Sequence, residues 1–306
     1  MLSLALPKGT SLEERTLDLF ARAGLEVKRP SGRSYRGRIE YGGPIQVAFY
    51  KPREIPFVVE SGAFDFGLTG ADWVEEADAK VEVLQSFNYA KLTNGPWRIV
   101  LAVPLEHEAQ QIADLKRGLR VASEYVGIGQ RFFRDAGLSV EMVHSYGATE
   151  AKIPELADAV IDVVETGSSL QHNGLRILQT IRTCTPQIIA SPASAADEAK
   201  GDRILKVIRM LNSAHSGPAR ILMTVRVPAE RLPAVVPCMP VGSWRVGVDL
   251  VDTDVSVLQG LAPRKGLPEM MDAILEAGAL EVAESDVLKT VPNYPERDMP
   301  NNRSGR

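Results

Sequence analysis

The run Ala159-Val-Ile-Asp-Val-Val164 is short, apolar and β-branched, and it leads directly into Glu165-Thr-Gly-Ser-Ser169. Broken only by Asp162, it reads as a strand buried on both faces. A strand of that kind needs layers on either side, which confines the chain to an α/β architecture. Leu170 to Leu178 follows with the apolar spacing of a helix, completing a strand-turn-helix unit. A strand that ends in Thr-Gly-Ser-Ser at a helix start offers unpaired N–H groups, three hydroxyls and a positive dipole end, which together suit a phosphate. Gly167 would let the backbone approach that phosphate closely. Asp162 and Glu165 beside it suit the hydroxyls of a phosphorylated sugar, because carboxylates accept hydrogen bonds from them. A Thr/Ser cap flanked by two solvated acids would show the same letters, so context must decide.

With 306 residues, 44% of them hydrophobic and 24% charged, the chain has material for more than one core. Its apolar runs are too short for a membrane span, and the start Met-Leu-Ser-Leu-Ala-Leu-Pro-Lys lacks the layout of a secretory signal. Cys184 and Cys238 stand far apart without metal-ligand spacing, which points to a reducing cytoplasm. A net charge of −4 argues against nucleic acid as the main partner. The histidines (His107, His144, His172, His215) form no ligand cluster along the sequence.

Further strand-turn-helix units precede this one. Ser3 to Leu6, Pro7-Lys-Gly9 and an acid-led helix over Leu12 to Ala23 place Lys8 where it can meet an anion. Pro30 to Gly43 reads as a loop, Ile45 to Tyr50 as a strand, and Lys51-Pro-Arg-Glu-Ile-Pro56 as the lead into a helix. Ala63-Phe-Asp-Phe-Gly-Leu-Thr-Gly70 is again a strand ending in Thr-Gly before a helix. Asp65-x-x-x-Thr69-Gly70 matches Asp162-x-x-x-Thr166-Gly167 in spacing, a weak internal repeat. Two lobes that present such ends to one cleft would bind a ligand there. Strands over Arg98 to Val103, Gly118 to Ala122 and Ser139 to His144 alternate with helices, which predicts a mainly parallel sheet.

These features divide the chain into a first lobe (residues 1–96 with 183–212), a second lobe (97–182) and a C-terminal domain (218–292). Ser213 to Pro218 reads as a linker. The last domain has the order β-α-β-β-α-β, a ferredoxin-like arrangement. Residues 293–306 are polar, carry two prolines and lack apolar periodicity, so a disordered tail is expected.

Five segments carry a resemblance to a known family. They are Leu6-Pro-Lys-Gly9, Lys51-Pro-Arg-Glu-Ile-Pro56, Gly62 to Trp73, Ser145-Tyr-Gly-Ala-Thr-Glu-Ala-Lys-Ile-Pro154 and Asp158 to Leu170. In this order they resemble ATP phosphoribosyltransferase in its long form. The resemblance implies a two-lobed, periplasmic-binding-protein-like α/β core with a C-terminal ACT-like α+β domain. It also implies condensation of ATP, through adenine N1, with phosphoribosyl pyrophosphate, with Mg2+ required. Carried over by position, Glu165, Thr166, Gly167, Ser168 and Ser169 would hold the 5-phosphate, and Asp162 and Glu165 would face the ribose. Lys8, Lys51 and Arg53 would meet pyrophosphate or nucleotide phosphates. Gly9, Thr69, Gly70 and Asp72 would line the cleft from the first lobe, and Glu124 and Tyr125 from the second. Lys8 joins Asp162 and Glu165 as the expected catalytic groups. The C-terminal domain would bind histidine for feedback inhibition and build a homo-oligomer, dimer or hexamer.

Such chemistry separates charge, so it needs electrostatic stabilisation more than a strong base. The chain departs from the family's pattern in places: Glu124-Tyr-Val-Gly-Ile128 stands where the family has Glu-Tyr-Pro-Asn-Leu, and the usual Pro-Thr-Val is missing around Val241-Gly-Ser-Trp-Arg245. Two other readings stand at this level. One is a phosphoribosyltransferase with a different heterocyclic acceptor; the other is a two-lobed protein that only senses a sugar phosphate or nucleotide.

Overall fold

The computed structural model describes residues 1–89, 95–248 and 254–291. The chain forms two compact units, the first from residues 1–18 and 26–208 of the described chain, the second from 19–25 and from Arg209 on. In chain order, the first unit opens with β1 (Leu2–Pro7), α1 (Ser11–Arg22), β2 (Arg36–Glu40), β3 (Pro44–Tyr50), α2 (Ile55–Glu60), β4 (Phe66–Gly70), α3 (Ala71–Glu76) and β5 (Glu82–Ser86). It continues with β6 (Trp97–Pro104), β7 (Leu119–Ser123), α4 (Val126–Asp135), β8 (Val140–His144), β9 (Ala159–Val164) and α5 (Ser168–His172). Then come β10 (Leu175–Cys184), β11 (Pro186–Ala190), α6 (Pro192–Ala196) and α7 (Glu198–Ser216), whose last turns enter the second unit.

The strands of the first unit build two sheets, ordered β2-β3-β1-β4-β11-β5 and β10-β6-β9-β7-β8. Each is mixed where a mainly parallel sheet was expected. β2 and β11 run antiparallel to their neighbours in the first sheet, and β6 and β10 do so in the second. The second sheet is sealed on both faces, which explains its continuous apolar runs. Ile99, Leu101, Val103 and Ile161 pack on one side, and Val100, Ala102, Val160 and Val164 on the other. Strand periodicity puts Asp162 on the same face as Val160 and Val164.

Several local expectations change. Leu170 to Leu178 is not one helix: α5 stops at His172, Gly174 turns the chain at φ +70°, and Leu175 onward joins β6 as an antiparallel strand. Only Gly tolerates that left-handed turn at little cost. The segment 30–43 holds β2, an edge strand with Ile39 as its one buried side chain, too weak an alternation to read from sequence. Ser213 to Ser216 continues α7 instead of forming a linker.

The second unit adds β12 (Arg220–Pro228), α8 (Leu232–Val235), β13 (Trp244–Val248), β14 (Val255–Pro263), α9 (Leu267–Glu276) and β15 (Glu281–Asp286). Its antiparallel order β13-β14-β12-β15 is the ferredoxin-like arrangement the sequence predicts. The fold is therefore α/β and two-lobed, with a C-terminal α+β domain. The expected tail, 293–306, lies outside the described residues.

One buried cluster joins the two sheets of the first unit. Asp72, in the first turn of α3, accepts hydrogen bonds from Tyr125 Oη at 2.9 Å and Trp97 Nε1 at 3.2 Å, and it is 3% exposed. Trp73 stacks on Tyr125 with ring centroids 4.5 Å apart. A Cβ on Gly70 would collide with Asp72 Oδ1 and Trp97, so only glycine fits there. Burial pushes the Asp72 carboxyl up to about 6 despite the Tyr125 and Trp97 donors.

A raised carboxyl binds its proton more tightly folded than unfolded. Its stabilisation is therefore complete below the ordinary Asp value and is lost as pH rises through about 6. Asp72→Asn should flatten the fall in melting temperature between about pH 4 and 6, a linkage on the order of 3 kcal/mol. Thermal melts across that range, wild type against variant, check it; parallel pH profiles would refute it.

Candidate functional site

The turn after β9 is built as a cradle. Gly167 adopts φ +84° and ψ 3°, and α5 starts at the next residue. The first-turn amides of α5 have no intrahelical acceptors. Ser168 N–H meets Thr166 Oγ1 only at 3.4 Å, and the two hydroxyls lie 3.1 Å apart. Thr166, Ser168 and Ser169 are exposed, and Glu165 is half-buried. Within the protein a Cβ at 167 would meet Ile177 Cδ1 at 3.7 Å, an ordinary contact, and the left-handed backbone there favours glycine in its own right.

Beside this turn lies a group of acids. Asp162 is largely enclosed; burial pushes it up to about 6 against the bond from Val163 N–H at 2.7 Å, and the neighbouring charges of Glu150 and Glu124 add to the rise. Ser169 Oγ donates to Glu150 Oε1 at 2.6 Å, which ties the segment before β9 to the cradle. Glu150 falls within Ser145-Tyr-Gly-Ala-Thr-Glu150, and sequence reading gave it no role. Its signal was present in that motif, but the contact with Ser169 spans 19 residues and no spacing rule announces it.

The other wall, from the first sheet, is basic. Lys8, Gly9, Tyr35, Arg36, Phe49, Tyr50 and Lys51 line a cleft of about 510 Å³. Lys51 Nζ lies over Gly9, 3.0 Å from where a Cβ would be. Lys8 is already engaged: its ammonium contacts Glu13 Oε1 and the Gly32 carbonyl, each at 3.0 Å. Burial would raise Glu13, but the Gly9 amide, Lys8 and Arg29 outweigh it and hold the carboxylate below its ordinary value. Lys51 and Arg53 are exposed and close to the same surface.

Between the sheets, a pocket of about 280 Å³ is lined by Arg53, Phe57, Trp73, Glu76, Glu124 and His144, with Glu54 and Ala77 at its edge. The other expected cleft residues lie beneath this surface. Thr69 is fully buried and donates to the Pro52 carbonyl at 2.8 Å. Gly70, Asp72 and Tyr125 belong to the buried cluster and underlie the pocket surface. Phe57, Trp73, Glu76 and His144 also line it, and no motif or spacing marks them as site residues.

Among the described residues, no three His, Cys, Asp or Glu side chains converge to hold a metal. The oxygen donors nearby suit a hard cation carried mainly on substrate phosphates, as Mg2+ commonly is. The first unit thus carries an acidic, hydroxyl-rich turn on the second sheet and a lysine-lined cleft on the first. That division suits a reaction in which a sugar carbon becomes positive while a phosphate leaves.

The family model HisG: ATP phosphoribosyltransferase matches residues 51–213. The ATP phosphoribosyltransferase of Pelotomaculum thermopropionicum is 35% identical over 291 residues, covering 95% of this chain and 99% of the relative. That of Chlorobaculum parvum is 34% identical over 291 residues, with 95% and 98% covered. Among solved structures, the ATP phosphoribosyl transferase (HisG:HisZ) complex from Thermotoga maritima aligns with a TM-score of 0.58 at 25% identity, covering 69% of this chain and 97% of that one. Matched almost end to end by such relatives, the chain belongs to the ATP phosphoribosyltransferase family, which joins ATP to phosphoribosyl pyrophosphate in the first step of histidine biosynthesis.

Proposed function

We propose that the turn from Glu165 to Ser169 holds the 5-phosphate of phosphoribosyl pyrophosphate, with Asp162 and Glu165 facing the ribose. The observation that carries this reading is a single one. Asp162 lies two residues before the end of β9, and the strand runs into a left-handed Gly167 turn on which Thr166, Ser168 and Ser169 are exposed. ATP then enters the pocket lined by Arg53, Phe57, Trp73 and Glu124. Arg53 meets its phosphates, the aromatic rings offer a face to adenine, and Glu124 accepts from the exocyclic amine. Lys51 and Lys8 face the leaving pyrophosphate, Lys51 directly and Lys8 through the field it shares with Glu13.

Adenine N1 carries its own lone pair, so no base need act before attack. As the C1–O bond opens, the ionised Asp162 stabilises the positive ribose while the basic wall receives the negative leaving group. Mg2+, when bound, neutralises charge on the pyrophosphate. The lobes are residues 1–96 with 183–212 and 97–182. The domain over 218–292 serves histidine sensing and assembly into a dimer or hexamer, in the cytoplasm. No helix among the described residues is long and apolar enough to cross a membrane.

Asp162→Asn should lower kcat by about 100-fold or more while the donor Kd moves less than about threefold, because the charge matters most as the cation develops. Wild-type kcat/KM for the donor should also rise with pH through about 6 as Asp162 ionises, and that limb should vanish in the variant. Steady-state kinetics with donor titration by calorimetry tests both; equal losses in kcat and affinity would reduce Asp162 to a binding contact. Gly167→Ala should weaken donor binding by about tenfold, since a left-handed alanine costs roughly 1–2 kcal/mol and the turn will relax. Unchanged donor affinity in calorimetry would remove the turn from the donor site.

A further inference from the structure

Helix α4 lacks a cap of its own. Its N-cap residue is Tyr125, whose side chain makes no capping bond, and its first turn carries Gly127, a poor helix former. The missing acceptors come from the other sheet. Glu76, at the end of α3, accepts from Gly127 N–H through Oε1 and from Ile128 N–H through Oε2, both at 2.8 Å. A Cβ on Gly127 would lie 3.1 Å from the Glu76 carbonyl and 3.3 Å from its Oε1, so the glycine admits this approach. The preceding residue is held as well: Arg182 of β10 donates to Glu75 Oε1 at 2.6 Å, and Arg131 of α4 donates to the Glu75 carbonyl.

The last turn of α3 is thereby fastened to the second sheet, while its first turn follows β4 of the first sheet without a break. The same Glu76 lines the pocket whose walls come from both sheets, Arg53 and Phe57 on one side, Glu124 and His144 on the other. We propose that Glu76 is a positioning residue for the nucleotide: its two-oxygen clasp on α4 sets the distance between the walls that grip ATP. The clasp holds the start of the helix directly after Glu124-Tyr125, so it also fixes where the Glu124 carboxylate points. The cradle for the donor's 5-phosphate is made by β9, α5 and Glu150, all within the second sheet's lobe, and only the donor's pyrophosphate reaches across to Lys51 and Lys8. Loss of the clasp should therefore fall more heavily on ATP than on the donor. This inference rests on the placement of ATP in that pocket.

Glu76→Ala and Glu76→Gln separate the clasp from simple folding. In Glu76→Ala the KM for ATP should rise about tenfold while the donor Kd rises by less than about threefold. Added formate, a carboxylate small enough to sit on the vacated amides, should restore part of the ATP KM in that variant and leave wild type unaffected. Glu76→Gln keeps one acceptor and should fall between the two. An ATP KM unchanged in both folded variants would overturn the proposal, as would equal losses for donor and ATP without a formate response. Arg53→Ala distinguishes the failures: ATP binding that ignores Glu76 but weakens with Arg53→Ala sinks the clasp alone. Indifference to both removes ATP from the pocket.

Discussion

A strand sealed on both faces can show a functional group to the outside only where it ends. That constraint governs β9, which lies between β6 and β7 with apolar layers on either side. Asp162 is the one ionisable residue in it, and its enclosure shows in the upward displacement of its carboxyl. The Gly167 turn, Glu165, and Glu150 held by Ser169 gather at the exit of that strand. The first sheet carries Lys51 and the Lys8–Glu13 pair in a cleft of its own, and Arg53 in the pocket between the sheets.

Much of this was legible in the letters, because the decisive segments are local. β-branched runs, Thr-Gly turns and acid-led helices reveal themselves within about ten residues, and the ferredoxin-like order followed from periodicity alone. The motifs around Lys8, Lys51, Thr69 and Glu165 likewise lie at strand ends, where open sheets place ligands. What remained hidden depends on distance along the chain. No spacing shows that Asp72 serves Tyr125 and Trp97, that Glu13 claims Lys8, or that Glu76 caps a helix some fifty residues later. Edge strands such as β2 and β5 hid for another reason: with few buried side chains, their alternation is faint.

The helix start at Glu124-Tyr-Val-Gly-Ile128, read from sequence as a departure from the family's pattern, acquires a physical meaning in the fold. A glycine in a first turn costs helix stability of about 1 kcal/mol, yet here it makes room for a carboxylate from another element. Local preference is set aside at the junction where two lobes must meet, which is where functional sites commonly break local rules. The buried cluster of Asp72, Tyr125 and Trp97 lies under the same junction and gives it a rigid floor.

The place of β11 bears on how the molecule comes into being. Its Ile188, Ile189 and Ala190 are fully buried, and it is the strand that β5 pairs with. During synthesis, β1 to β5 emerge well before their missing neighbour, and about a hundred residues of the other lobe are made in between. The first sheet can close only after that lobe has left the ribosome. The later-numbered lobe is then the earlier one to be whole, and the amino-terminal sheet waits, one strand short, for the chain to come back.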